Sequence, residues 1–292
     1  MIGKKRTYRI VPYLFLIPYL FAFITFRFGP SIAGFFVSLT RWNIVGQARF
    51  VGLQNFIDLF RDPNFMRSLI NTLYFMLLTV PALVVGGLLI AMLVDQSLKG
   101  RIVTRTFVFM PYVIMSTVVG VIWLWIFDAH FGILNYYLSF LGIRPIAWLS
   151  SVNWAMPAVA IATIWWTIGF NMILFLAGLQ DIPNELKEAA RIDGASSWQV
   201  FWNITFPLLS PTMIVVVMLT LINTFQVFAQ VYVMTGGGPA MATLTVVQYM
   251  YVQSFQYYRL GYGSAIAYVI FIFLVAFILL EGKFLKKSGD LN

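Results

Sequence analysis

The sequence predicts an all-α polytopic membrane protein with six transmembrane helices, and three observations carry that expectation. First, 61% of the 292 residues are hydrophobic, 17% are aromatic and only 10% are charged. With a mean hydropathy of +0.86, this is not the balance of an ordinary soluble domain. Second, long apolar blocks recur along the chain, suited to crossing the hydrocarbon core as helices. Third, Lys and Arg gather in short clusters at the ends of those blocks, where membrane topology and anionic lipid account for them. The net charge of +9 therefore does not point to nucleic acid. Cysteine is absent, so there is no disulfide, thiolate metal site or cysteine nucleophile, and nothing follows about redox compartment. His130 is the only histidine. It is expected to be a solvated loop residue, because a metal site needs several convergent ligands.

The expected spans are 11–39, 69–94, 106–127, 154–179, 211–233 and 265–280, within one transmembrane domain covering 1–292. Ahead of the first lie Lys4, Lys5, Arg6 and Arg9, like the start of a signal peptide. The apolar run is too long for one, however, and no small-residue cleavage site follows, so an uncleaved first span is expected. Arg27, beside Gly29-Pro30, can snorkel to the outer interface. Between the first two spans, Leu53, Phe56, Ile57 and Phe60 fall at helical spacing before Asp62-Pro63, which predicts a short amphipathic helix lying on a surface. Pro81 and Gly86-Gly87 in the second span are tolerable where neighbouring helices repack around them. The third span contains Pro111-Tyr112 and ends in Trp123 and Trp125, which suit an interfacial aromatic belt. Residues 128–153 form a loop with its own apolar segment. Asn223, Thr224, Gln226 and Gln230 give the fifth span an unusual polar content, and Thr235-Gly-Gly-Gly-Pro239 then turns the chain.

The stretch 180–210 is the one long polar interruption that still reads as helical. Asp181 or Asn184 can cap a first short helix, with Pro183 in its first turn, Glu185 and Glu188 near its positive end and Gly194 placed to end it. Ile182, Leu186, Ala189 and Ala190 share a face. Ser196 or Ser197 can cap a second helix carrying Trp198, Phe201 and Trp202, with Pro207 expected to break it. Two short amphipathic helices joined at a glycine make a knob suited to a partner's groove. Counting Lys and Arg per loop gives twelve for the termini, the 95–105 loop and this stretch, against six for the other three loops. The positive-inside rule therefore makes both termini and the 180–210 loop cytoplasmic.

Glu188-Ala189-Ala190, then Gly194, then Ile204 and Pro207 resemble the EAA loop of membrane subunits from binding-protein-dependent ABC importers. The surrounding IPNELKEAARIDGAS is most similar to the sugar-importing branch. Phe206 departs from the family's usual Leu by a conservative apolar change. FVGLQNFIDLFRDPNF resembles the external segment between the first two spans of such permeases, and the segment from TGGGP onward resembles the outer loop of the maltose-F or glycerol-phosphate-A type subunit. The resemblance covers nearly the whole chain. It implies the ABC type I importer permease fold in the cell (inner) membrane. It further implies a heterodimer with a second permease subunit, two cytoplasmic ATPase subunits and an external solute-binding protein that delivers a sugar. Glu185, Glu188, Ala189, Ala190, Asp193 and Gly194 would then couple this chain to the ATPase.

No G-x-x-x-x-G-K-[ST] loop occurs, so ATP and Mg are expected on the partner ATPase, and no cofactor in this chain. GxSxG and HExxH are also absent, which removes the usual supports for an intramembrane enzyme. A secondary carrier or channel acting alone is the alternative, but such carriers generally use intramembrane carboxylates or broken helices in inverted repeats, and neither stands out. What remains near mid-span are neutral amides and aromatics: Asn171, Asn223, Thr224, Gln226, Trp166, Phe170 and Tyr112. Rings offer apolar faces to a sugar, and amides satisfy its hydroxyls with no charge to desolvate. The same amides can equally bond neighbouring helices.

Overall fold

A computed structural model describes residues 14–44, 46–96 and 100–289, with side chains described as far as Leu279. The N-terminal basic cluster, Lys99 and the side chains of Lys283, Lys286 and Lys287 lie outside the described parts. The chain divides into two compact units, Met1–Asp62 with Met250–Phe271, and Pro63–Tyr249 with Ile272–Asn292.

In the first unit, α1 (Leu14–Ser38) passes through a π-helical turn at Ile24–Phe28 that contains Arg27. There Ser31 Oγ donates to the Arg27 carbonyl at 2.7 Å. A small hairpin follows, β1 (Thr40–Arg41) antiparallel to β2 (Arg49–Phe50), and then α2 (Gln54–Arg61), which stops at the extended Asp62. The apolar stripe of α2 is turned away from the rest of its unit. Asn55 and Leu59 point inward, while Leu53, Ile57 and Phe60 are 65%, 44% and 54% exposed. The reason is a polar anchor: Asn55 Nδ2 donates to the carbonyls of Ser38 at 2.7 Å and Thr40 at 2.8 Å. Those bonds satisfy the end of α1 and turn the apolar stripe outward.

The second unit is a helical bundle built on α3 (Pro63–Asp95) and α7 (Ala155–Gln180). These pack closely because two glycines let them. A Cβ on Gly87 would lie 2.9 Å from Asn171 Cβ, and one on Gly86 2.9 Å from Ile168 Cδ1, the small-residue contact expected between membrane helices. The expected span 106–127 is two helices, α4 (Arg101–Val113) and α5 (Ser116–Ile126), bent by 101° at Ile114-Met115. Pro111 sits inside α4 and not at the break. The loop between α5 and α7 carries α6 (Ile133–Phe140), held by Asn135, whose Oδ1 accepts from Ile146 N and Trp148 Nε1.

Beyond α7, α8 (Asn184–Ile192) is followed by α9 (Ser197–Val200), a π-helical turn at Phe201–Thr205 and α10 (Phe206–Phe225). Pro207 therefore does not break the helix. It falls in the first turn of α10, where the preceding π turn already departs from the regular ladder and a missing N–H costs little. The fifth expected span breaks later, at 226–228, and resumes as α11 (Ala229–Met234). Next, α12 (Val246–Tyr251) is tied to α3: Thr72 Oγ1 accepts from Val246 N at 2.9 Å. The chain ends in α13 (Leu260–Gly289). Among the described residues, five helices are long and apolar enough to cross a membrane, or six when α4 and α5 count as one broken span.

Candidate functional site

Both helix breaks face one cavity of ≈ 370 Å³ in the second unit. Its position follows from α7. Residues 156–162 of that helix enter one apolar cluster with Phe75, Phe127 and Val231, and residues 172–179 enter another with Ala91, Leu209 and Val216. Between them, Thr163, Trp166, Thr167 and Asn171 turn to the cavity. The opposite wall is Thr220, Asn223 and Thr224 from α10, continued by 226–230 through the break, and the two sides of the break between α4 and α5 contribute Tyr112 and Ser116.

The seven expected path residues thus come together, but in different roles. Trp166 Nε1 donates to the Ile114 carbonyl at 3.0 Å, which satisfies a backbone acceptor freed by the bend. The Tyr112 ring stacks on Phe170 at 4.9 Å and on Trp166 at 5.8 Å, so Phe170 supports the wall from behind and does not line it. Asn171, only 2% exposed, donates to Leu83 O at 3.3 Å and Thr220 Oγ1 at 2.9 Å; it bonds helices together. Thr224 turns its hydroxyl back to Thr220 O at 2.7 Å. Asn223 and Gln226 are exposed on the cavity wall, and among the described residues neither side chain has a hydrogen-bond partner. Ser116, Thr163, Thr167, Thr220 and Gln230 also line the cavity, and all were missed as site residues. Gln230 had the same signal as its neighbours, an amide in an apolar block; the hydroxyls had none.

The 180–210 segment forms a second feature. Pro183 itself occupies the N-cap position of α8, extended and with no side-chain cap, so neither Asp181 nor Asn184 has the expected capping role. At the other end Gly194 has φ +86°. Its N–H donates to Arg191 O at 3.1 Å and that of Ala195 to Ala190 O at 2.9 Å, a Schellman ending in which Asp193 is the C-cap. Ser196 then caps α9 in a capping box with Gln199. Ile182 is buried, yet Leu186 and Ala189 are exposed and Ala190 half-buried, so the apolar face of α8 is largely uncovered by this chain. Glu185 is exposed, while Glu188 lines a groove of ≈ 690 Å³ with Lys187, Arg191 and, from the end of α3, Asp95 and Gln96. His130 is exposed beside Asp128, whose Oδ1 accepts from the backbone N–H of His130 and Phe131. Those donors hold the Asp128 carboxyl below its usual range, the Phe131 N–H most strongly. Among the described residues no cluster of three or more potential metal ligands exists.

A bundle of membrane-length helices, broken twice around a cavity lined by aromatics, amides and hydroxyls and carrying an uncovered amphipathic knob, defines a polytopic transport subunit. The model of the family described as binding-protein-dependent transport system inner membrane component matches residues 56–281. The chain is 36% identical over 269 residues to the trehalose/maltose transport system permease protein MalF of Thermococcus litoralis, covering 91% of this chain and 90% of that one. It is also 36% identical over 283 residues to the sn-glycerol-3-phosphate transport system permease protein UgpA of Brucella abortus biovar 1, covering 96% of each. The fold is shared, at TM-score 0.83 and 23% identity over 96% of this chain and 95% of the other, with a chain of a bacterial alginate ABC transporter solved with its alginate pentasaccharide-bound periplasmic protein. This chain belongs to the binding-protein-dependent transport system inner membrane component family, and it is a multi-pass permease subunit of the inner membrane.

Proposed function

We propose that this chain is one of two permease subunits in an ABC-type sugar importer working by alternating access. The observation that carries the reading is the cavity at two helix breaks, where two unpaired amides and a stacked aromatic wall meet. A single chain supplies one side of such a pathway. A second, different permease would supply the other, and an external solute-binding protein would deliver the sugar. In this reading ATP and Mg are bound by two cytoplasmic ATPase subunits, and this chain holds no cofactor and catalyses no reaction. The α8 knob, with Glu185, Glu188, Ala189, Ala190, Asp193 and Gly194, docks on one ATPase; its uncovered apolar face and fixed glycine turn support that role. The test is uptake by proteoliposomes containing the whole complex. Uptake should need ATP and the binding protein together. Uptake that persists without the ATPase subunits would indicate a carrier acting alone and sink the proposal.

A further inference from the structure

We infer that the cavity selects uncharged saccharides and rejects those bearing phosphate, carboxylate or sulfonate. The inference rests on the importer reading above and narrows it. Among the described residues no Asp, Glu, Lys, Arg or His lines the cavity. The exposed amides on its wall are those of Asn223 and Gln226, each both donor and acceptor.

The backbone adds no pole of its own. At each break the end of one helix, with its carbonyls, meets the start of the next, with its N–H groups: α4 with α5, and α10 with α11. Partial charges of both signs therefore stand side by side. The Ile114 carbonyl is already taken by Trp166.

A hydroxyl suits such a wall because it gives and accepts one bond at a time, while Tyr112 offers a ring face to the apolar side of a pyranose. An anion against this wall would lose hydration and gain no opposite charge from it, which is the costly case of burial. The relatives named above include transport systems for trehalose and maltose and for a phosphate ester, so similarity alone leaves this choice open, and the uncharged lining of this chain's side of the pathway favours the former.

The experiment is equilibrium dialysis of the complete complex in lipid nanodiscs, without binding protein, against two sets of probes. Maltose, trehalose and sucrose are the uncharged set; sn-glycerol 3-phosphate, glucose 6-phosphate and digalacturonate are the anions. At least one uncharged sugar should bind, about tenfold more weakly in Gln226→Leu, equivalent to about 1.4 kcal/mol, and no anion should bind. Asn223→Leu is the second variant on the same wall, and thermal unfolding of each complex confirms that it is assembled. Binding of any anion, no binding of an uncharged sugar, or binding unmoved by both variants overturns the inference. The importer reading is judged separately, by whether binding protein stimulates ATP hydrolysis in the same nanodiscs.

Discussion

Asn171, near the middle of α7, and Asn223, in the last turn of α10, are both amides in apolar helices, but their surroundings assign them opposite consequences. Asn171 bridges α3 and α10 from a buried position, so Asn171→Leu removes interhelical bonds worth roughly 0.6–2 kcal/mol. The expected outcome is a lower melting temperature of the complex. Asn223→Leu and Gln226→Leu break no bond within the chain, and each should leave the melting temperature unchanged while reducing transport. Gly194 is a backbone case. A Cβ there would meet nothing within 4 Å, so its cost comes from φ +86° alone, about 1 kcal/mol for an ordinary side chain and more for a β-branched one. Gly194→Val should therefore leave ATP hydrolysis but uncouple it from uptake, whereas Gly194→Asn, which tolerates this conformation, should keep most coupling; equal loss in both variants would contradict the backbone account. Asp128 gives a pH dependence. Its folded carboxyl titrates below its unfolded value, so it stabilises the 128–131 turn above the ordinary carboxylate pKa, and that contribution disappears as pH falls through the lowered one. Asp128→Asn should flatten this acid-side loss in a thermal scan.

At the scale of elements, close approach and broken helices decide the architecture. A Cβ on Gly169 would lie 2.2 Å from Val108 O, backbone that cannot step aside, so Gly169→Ala should push α4 off α7 and lower the yield of assembled complex by size-exclusion chromatography. Trp166→Phe keeps a ring beside Tyr112 but leaves the Ile114 carbonyl without its donor. It should lower the melting temperature by an interaction worth about 1 kcal/mol. These breaks were the part hidden in the sequence. Long apolar blocks, the Gly194 stop and the Ser196 cap could be read because each is a local signal written in a few adjacent residues. Val113-Ile114-Met115 and Gln226-Val227-Phe228 contain no proline or glycine, and the breaks are held by distant donors: Trp166 for Ile114 O, and Thr245 Oγ1 for Val227 O at 3.1 Å. Tertiary bonds of that kind leave no mark at the break itself. For the same reason Ser116, which the break brings to the cavity, escaped selection, while Asn223 and Gln226 were found simply as amides in apolar surroundings, a signal that Gln230 shared. Proline gave the opposite error: Pro207 looked like a stop, but it lies just after a π turn that accommodates it.

For the whole molecule, the positive-inside count predicts that the α8 knob and both termini share the cytoplasmic side. A chain without cysteine lets that be measured with no background. An impermeant thiol reagent added outside should label cysteines placed at Gln47 and Ala240 and spare those at Lys99, Ser196 and Ser288; the reverse pattern would invert the orientation. The paired breaks also carry a mechanical consequence. Across them, α5 and α11 pack on each other so tightly that a Cβ on Gly120 would come within 3.0 Å of Val233, while α4 and α10 remain anchored to the rest of the bundle by Gly169 against Val108 and Asn171 against Thr220. The pair is also pinned to that bundle beyond the breaks, because Phe127 and Val231 share an apolar cluster with Phe75 and residues 156–162 of α7, and Trp123 packs on Trp165. That side of the cavity is therefore a jamb and not a door: whatever passes must do so by displacing packed side chains or by a shift of the bundle as a whole.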